Sequence, residues 1–267
     1  MKSPSYVGVT GFTKREQVEE TLNFMPELPL GRKLMVGLLT IDRLMTAGEA
    51  RGPMGRNVSL MDMSNVWVSD PRCFNVIHYC SRSGGEKLLK EVGDLLWVVQ
   101  ADICHGIQLN TPQITPEILN KIRDRLYGKN IILQLGGRAS DDNTALDIER
   151  IGKNFGHLAD YLLLDFSAGR GRDFDVDTML AYIPILAQWA KVVVGGGLDQ
   201  TNLAQKLDPL LKIYQDLSWD AEGKLRDGDD NLDLGSVVGY SHQSALILEK
   251  AKGYFKPVRR RLQIPRI

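Results

Sequence analysis

The chain is poor in the residues that build disulfide frameworks and metal centres. It has three cysteines, Cys73, Cys80 and Cys104, and no CxxC spacing. So sparse and odd a set excludes a disulfide scaffold and a zinc cluster, and it reads as reduced thiols in a cytoplasmic protein. Four histidines are scattered without HExxH or other ligand spacing, so no metal is expected. An excess of one charge is also missing: Lys+Arg and Asp+Glu are both 33, a formal net charge of zero. A nucleic-acid binder needs a basic surface, and this balance argues against one. No apolar run is long enough to cross a bilayer, and the opening MKSPSYVGVTGF lacks the long apolar segment of a secretory leader. No lysine closes a strand-like run, so a Schiff-base aldolase or lyase is poorly supported. Nothing in the sequence calls for a redox cofactor, and none is expected.

What is present is a regular alternation. The 267 residues, 43% of them apolar, suit one large α/β domain with a sizeable core. Strand-like runs at 6–10, 33–41, 74–80, 106–110, 130–135, 161–165, 191–194 and 217–219 alternate with helical spacing. The helical segments fall at 14–24, 85–99, 116–127, 142–155, 176–190, 202–215 and 236–251, with Thr115 as an N-cap. Runs such as YLLL, VVV and IIL are continuously apolar, as strands buried on both faces must be. About eight strand–helix pairs in this length predict a single-domain (β/α)8 TIM barrel over residues 1–267. An open doubly wound sheet is the alternative; strands near both termini, which closure needs, favour the barrel.

Two segments break the repeat. Residues 42–72 form a long insertion between the second and third strands, rich in Met, Gly and Arg. It reads as a lid or substrate-binding loop, or else as a packing excursion or a homo-oligomer contact. The basic tail 256–267, KPVRRRLQIPRI, reads as a solvated tail or a strap onto the barrel.

Residues 160–200 carry the strongest pointer to a site. One apolar run ends in Asp165, a glycine-rich turn and a helix follow, and a second apolar run ends in Gly195, Gly196 and Gly197. In parallel α/β folds the carboxyl ends of strands carry the site, because the loops converge there. Asp165 therefore points into the mouth of a barrel as a candidate functional residue; a carboxylate capping a nearby backbone amide is the alternative. Asp173 and Asp175 read as caps for the next helix. The triple glycine allows close backbone approach, as a phosphate site needs, although it is also an ordinary tight turn. His78 and Cys80 are two apart, hence on one strand face, and would bring an imidazole and a thiol to the mouth. A buried strand with a satisfied histidine is the plainer reading. Gln134 and Arg138 flank a Gly-Gly pair after the fifth strand and are candidate ligand contacts. Arg43, Arg51 and Arg56 lie in the long insertion, where one could hold an anion through a bidentate fork.

Three stretches together resemble phosphoribosylanthranilate isomerase, a (β/α)8 enzyme of tryptophan synthesis. VTGFTKREQV at 9–18 looks like that family's K-I-C-G-[IL]-T start, and IQLN at 107–110 is similar to its Q-L-H-G. LLLDFSAGRGRDFD at 162–175 followed by VVVGGGLDQTNL at 192–203 is similar to LLD-S-x-x-GGTG-x-x-FDW followed by LAGGL-x-x-x-N. The resemblance implies an Amadori rearrangement of a phosphorylated aminoaldose, in which an acid opens the sugar ring and a base removes the C2 proton. It puts the acid at Asp165 and the base at Thr10, where the family has cysteine; Asn110 stands where it has histidine. A threonine hydroxyl is no base at neutral pH, so half of the acid/base pair is absent in the family's form. His78 or Cys80 is a candidate replacement. Gly169, Gly171, Gly196 and Gly197 are counted as substrate-binding. The family's strand-eight S-S-G gives way to Ser218-Trp219-Asp220-Ala221-Glu222-Gly223. Asp220 and Glu222 would repel phosphate unless they turn away or Arg226 neutralises them, and they could instead bind a cation or supply the missing base. The resemblance thus implies an isomerase of aldose–ketose type acting on a phosphorylated sugar-like small molecule, by a diverged reaction. The alternative is a non-catalytic paralogue that binds a metabolite or a protein.

Overall fold

A computed structural model of the protein describes residues 3–41, 56–136, 143–165 and 174–254. Eight strands follow one another in chain order: β1 (Tyr6–Thr10), β2 (Lys33–Ile41), β3 (Cys73–Cys80), β4 (Gly106–Asn110), β5 (Asn130–Gln134), β6 (Tyr161–Asp165), β7 (Lys191–Gly195) and β8 (Ser218–Ala221). Each pairs in parallel with the next, and β8 closes on β1 through Val7 opposite Trp219 and Gly8 opposite Asp220. The single-domain (β/α)8 barrel expected from the alternation is the fold.

The helices on the outside are α1 (Arg15–Phe24), α2 (Met63–Val66), α3 (Gly85–Val99), α4 (Pro116–Arg125), α5 (Ala145–Phe155), α6 (Val176–Leu186), α7 (Leu203–Ile213) and α8 (Leu234–Ala251). Their starts are legible in local chemistry. Thr115 accepts from the Ile118 N–H, and Thr144 and Asp147 form a capping box that starts α5 at Ala145 rather than at residue 142. Asp175 caps α6 by accepting from the Thr178 N–H, as expected; Asp173 lies outside the described residues. Helix α6 ends at Leu186, short of residue 190, two residues beyond its internal Pro184.

Strand alternation divides the core into two shells. Outward side chains such as Val7, Val9, Leu34, Val36, Ile107, Leu162 and Val194 pack under the helices. Inward side chains Tyr6, Met35, Phe74, Val76, Ile132, Tyr161, Leu163 and Val193 fill the barrel itself. Both strand faces are therefore dry, which is why these runs are apolar throughout. At the amino-terminal end the filling is aromatic. The Tyr6 ring lies 5.5 Å from that of Phe74 and 5.4 Å from that of Tyr161, and Phe74 stacks on His105 at 6.0 Å.

Part of the insertion falls within the described residues. Residues 42–55, with Arg43 and Arg51, lie outside the described residues. From residue 56 onward the segment packs: Asn57 bridges Leu39 beside β2, and Met63, Val66 and Trp67 are buried in the outer shell. For residues 56–72 this favours the packing excursion over the lid. The basic tail lies outside the described residues. No described helix is long and apolar enough to cross a membrane.

Candidate active site

At the carboxyl ends of the strands the inward positions change from apolar to polar. His78 on β3, Gln134 on β5 and Asp165 on β6 stand two residues beyond the filling residues Val76, Ile132 and Leu163, and Thr10 on β1, Gln108 on β4 and Asp220 on β8 stand two beyond Gly8, Gly106 and Ser218 on the same inward face. A cleft with about 380 Å³ of atom-free space, part of it open to solvent, is lined by His78, Gln108, Leu163, Asp165, the turn Gly195–Gly196–Gly197, Asp220, Glu222 and Gly223. The sequence thus nominated most of the lining: His78, Asp165, Gly196, Gly197, Asp220 and Glu222 meet there. Asp220 and Glu222 do face the mouth.

The centre of the site is Asp220. It is buried, and the Thr10 hydroxyl donates to both of its oxygens at 3.3 Å. Room for this contact comes from two glycines: a methyl group on Gly8 would stand 2.7 Å from Asp220 Oδ1, and one on Gly37 would stand 2.5 Å from Thr10 Oγ1. Burial raises the Asp220 carboxyl, and the nearby Glu222 and Asp165 carboxyls push it further. His78 and the Thr10 hydrogen bond pull it back, leaving it at about 7. Thr10, where the resemblance implies a base, is instead a fully buried donor to a carboxyl poised at neutrality.

His78 is the counterpart of that acidity. Burial alone would depress the imidazole, but Cys80, Glu222 and Asp220 outweigh it and push it up to about 9. Cys80 shares the inward face of β3, half-buried at the strand end, beyond the cleft lining. Asn110 occupies the matching position at the end of β4, also outside the lining. Gln134 does not stand free for a ligand: its Nε2 donates to Asp165 Oδ2 at 2.9 Å.

The arginines settle the repulsion that Glu222 would impose. Arg56 closes a bidentate fork on the chain's own Asp230, Nε to Oδ2 and Nη2 to Oδ1 both at 2.7 Å, and its Nη1 reaches Glu222 Oε1 at 3.2 Å. Arg226, almost wholly buried, lies 3.8 Å from the same Glu222 oxygen and donates to the Asp230 carbonyl at 2.8 Å. Glu222 is thus ion-paired from two sides, whereas among the described residues no arginine or lysine pairs with Asp220. The fork predicted for an anion is spent on locking the insertion to the loop after β8. Arg138, Gly169 and Gly171 lie outside the described residues.

Gly196 and Gly197 turn with φ of 102° and 64°, a conformation glycine takes without strain. The Asn202 amide holds the Gly197 carbonyl at 2.6 Å, and Asp199 accepts from the backbone of Thr201 and Asn202 at 2.7 and 3.2 Å. The turn is therefore rigidly built and bare of side chains where it borders the cleft. No cluster of metal-ligating side chains occurs among the described residues.

The residue that sequence reasoning missed is Gln108. It lies inside IQLN, two residues before Asn110 and on the same face, so strand periodicity carried the signal.

No protein-family model matches the chain, and no curated protein matches it either. Solved structures do. The phosphoribosylanthranilate isomerase of Thermotoga maritima is 18% identical, covering 93% of this chain and 99% of its own, with a TM-score of 0.60. That of Thermus thermophilus is 15% identical, covering 91% and 99%, with a TM-score of 0.59. The chain shares the fold of phosphoribosylanthranilate isomerases. KGPDC from Streptococcus mutans, 12% identical with a TM-score of 0.54 over 91% of this chain, shares it too, so the barrel alone does not name a reaction.

Proposed function

We propose that the protein is an acid/base isomerase of aldose–ketose type, acting on a phosphorylated sugar-like small molecule in the cleft at the carboxyl end of the barrel. Asp165 serves as the acid that opens the ring. Asp220 serves as the base that removes the C2 proton, in place of the thiol that Thr10 replaces. The observation that carries this reading is Asp220: a buried carboxyl at about 7, bonded to Thr10 and facing the same cleft as Asp165. A base works best when its pKa lies near the working pH, and burial beside two carboxyls provides that here.

The ligand class rests on the turn after β7. The Gly195–Gly196–Gly197 turn offers close backbone approach for phosphate oxygens, and Arg56 and Arg226 cancel the Glu222 charge that would oppose them. One of the isomerases with this fold is described in complex with reduced 1-(o-carboxyphenylamino)-1-deoxyribulose 5-phosphate, a phosphorylated ligand of this kind.

The test is turnover of phosphoribosylanthranilate by the purified chain, with Asp220→Asn and Thr10→Cys assayed beside it. Turnover lost in Asp220→Asn while the fold survives supports Asp220 as the base. Turnover confined to Thr10→Cys points to a related pocket working on another substrate. If no phosphorylated aminoaldose is turned over, and reduced carboxyphenylamino-deoxyribulose phosphate still raises the melting temperature, the protein is a binding paralogue instead.

A further inference from the structure

Four polar side chains from four successive strands stand in a row across the mouth: Asp165 on β6, Gln134 on β5, Gln108 on β4 and His78 on β3. Gln134 Nε2 donates to Asp165 Oδ2 at 2.9 Å. Gln108 Nε2 lies 3.4 Å from Gln134 Oε1 and 3.4 Å from His78 Nε2. Both glutamines and the histidine are buried. Among the described residues Gln108 Oε1 has no hydrogen-bond partner, so the contacts of the row run through Gln108 Nε2 and His78 Nε2, while Cys80 also meets the His78 ring.

The direction of each bond follows from which groups can donate. An ionised carboxylate only accepts, so it turns the Gln134 NH2 toward itself and leaves Gln134 Oε1 facing Gln108. Gln108 must then present its NH2, whose two hydrogens serve Gln134 Oε1 and His78 Nε2. His78 Nε2 is thereby an acceptor, and the neutral ring carries its proton on Nδ1. The opposite arrangement turns both amides over. It requires Asp165 to donate, hence to hold a proton, and it requires a hydrogen on His78 Nε2 pointing at Gln108 Oε1. Mixed arrangements oppose donor to donor or acceptor to acceptor in a buried row, which is costly.

We infer that Gln134 and Gln108 form a directional amide relay through which the ionised Asp165 carboxylate holds the neutral His78 ring in its Nδ1–H form. The two glutamines are positioning residues: they set the state of the groups at either end. The catalytic meaning of the relay rests on the proposed acid role of Asp165. Among the described residues, the titratable groups facing the row include Asp220 on β8, Glu222 just after it and Cys80 on the histidine's own strand. They bias how readily the ring is protonated; the amide donors choose between its two neutral forms.

The test is nitrogen NMR of the full chain labelled with 15N-histidine, with the His78 signals assigned by their loss in His78→Gln. The pH is raised past about 9, where the His78 ring becomes neutral. Wild type is expected to settle as the Nδ1–H form, with Nε2 showing the signature of a bare acceptor nitrogen. Gln108→Leu is expected to revert to the Nε2–H form that an unconstrained imidazole prefers. Gln134→Leu, which frees Gln108 to turn, is expected to give a mixture. An Nε2–H ring in wild type overturns the inference by itself, even if a variant fails to fold. So does an Nδ1–H ring that persists unchanged in both variants. No substrate is involved, so a chain that turns over nothing can still show the relay, and an active isomerase can still lack it.

Discussion

The two ends of the barrel interior are built by the same strands and serve opposite ends. The floor is Tyr6, Phe74 and Tyr161, rings in mutual contact with no charge among them. Four residues further along each of those strands stand Thr10, His78 and Asp165. At the floor, burial stabilises, because it removes apolar surface from water. At the mouth, burial destabilises an ionised Asp220 and so makes it useful, since a carboxyl at about 7 can both take and return a proton. One physical effect, desolvation, thus contributes stability at one end and reactivity at the other.

That comparison is broken most sharply at Asp220. Turnover in Asp220→Asn is expected to fall by about 10²–10⁴-fold, the usual weight of a positioned acid or base. Its stability should move the other way. The fold raises this carboxyl from an ordinary 3.8 to about 7, so between those values the folded chain holds a proton that the unfolded chain has released. Stability therefore declines as pH rises through that window, by about 4 kcal/mol at most, and the loss is complete above about 7. Urea unfolding at two pH values checks this: Asp220→Asn should be the more stable chain above 7 and nearly equal to wild type below 3.8. An unchanged pH dependence would mean that Asp220 is not the group held up by burial.

The converse experiment empties the floor. Phe74→Ala should cost about 3–5 kcal/mol in denaturant unfolding. The turnover of the molecules still folded should change little, because Phe74 lies two rows below His78. A large drop in turnover per folded molecule would show that the floor also shapes the site. A smaller effect is expected where the β1 loop meets the arginines. Gly11 has φ of 108°, and a methyl group there would stand 1.8 Å from Arg226 Nη2. Gly11→Ala should cost about 1–3 kcal/mol and loosen the grip on Glu222, seen as a lower melting temperature. The smallest effect belongs to a helix start remote from both ends: Thr115→Ala removes the cap on α4, for about 1 kcal/mol and no change in turnover.

Much of the fold was legible because it is written locally. Strands such as Tyr161–Asp165 and Lys191–Gly195 are continuous apolar runs bounded by turn residues, and their placement by pattern matches the structure to within a residue. The helix starts at Thr115 and Asp175 follow from one side chain each. The cleft was legible in part for the same reason. Asp165, Asp220 and Glu222 close strands or follow them, and in a barrel those positions open on the mouth. Gln108 was overlooked because a buried glutamine within a strand resembles any other inward residue until its neighbours are known.

What the sequence determined by itself is the barrel, the polar end of its strands, and a hydroxyl rather than a thiol at position 10. Period, turn chemistry and residue identity are properties of neighbours along the chain, and they suffice for that. What only the tertiary structure decided is which polar groups meet. Thr10 and Asp220 are 210 positions apart and become partners because β8 closes on β1. Arg56 is committed to Asp230 rather than to a ligand because the insertion folds back beside the loop after β8. Gln134 joins Asp165 and Gln108, each two residues out of register with it, because the closed barrel brings their inward side chains together at the mouth. Charge and hydrogen bonding act through space, and the distances that fix a carboxyl at about 7 exist only once the barrel has closed.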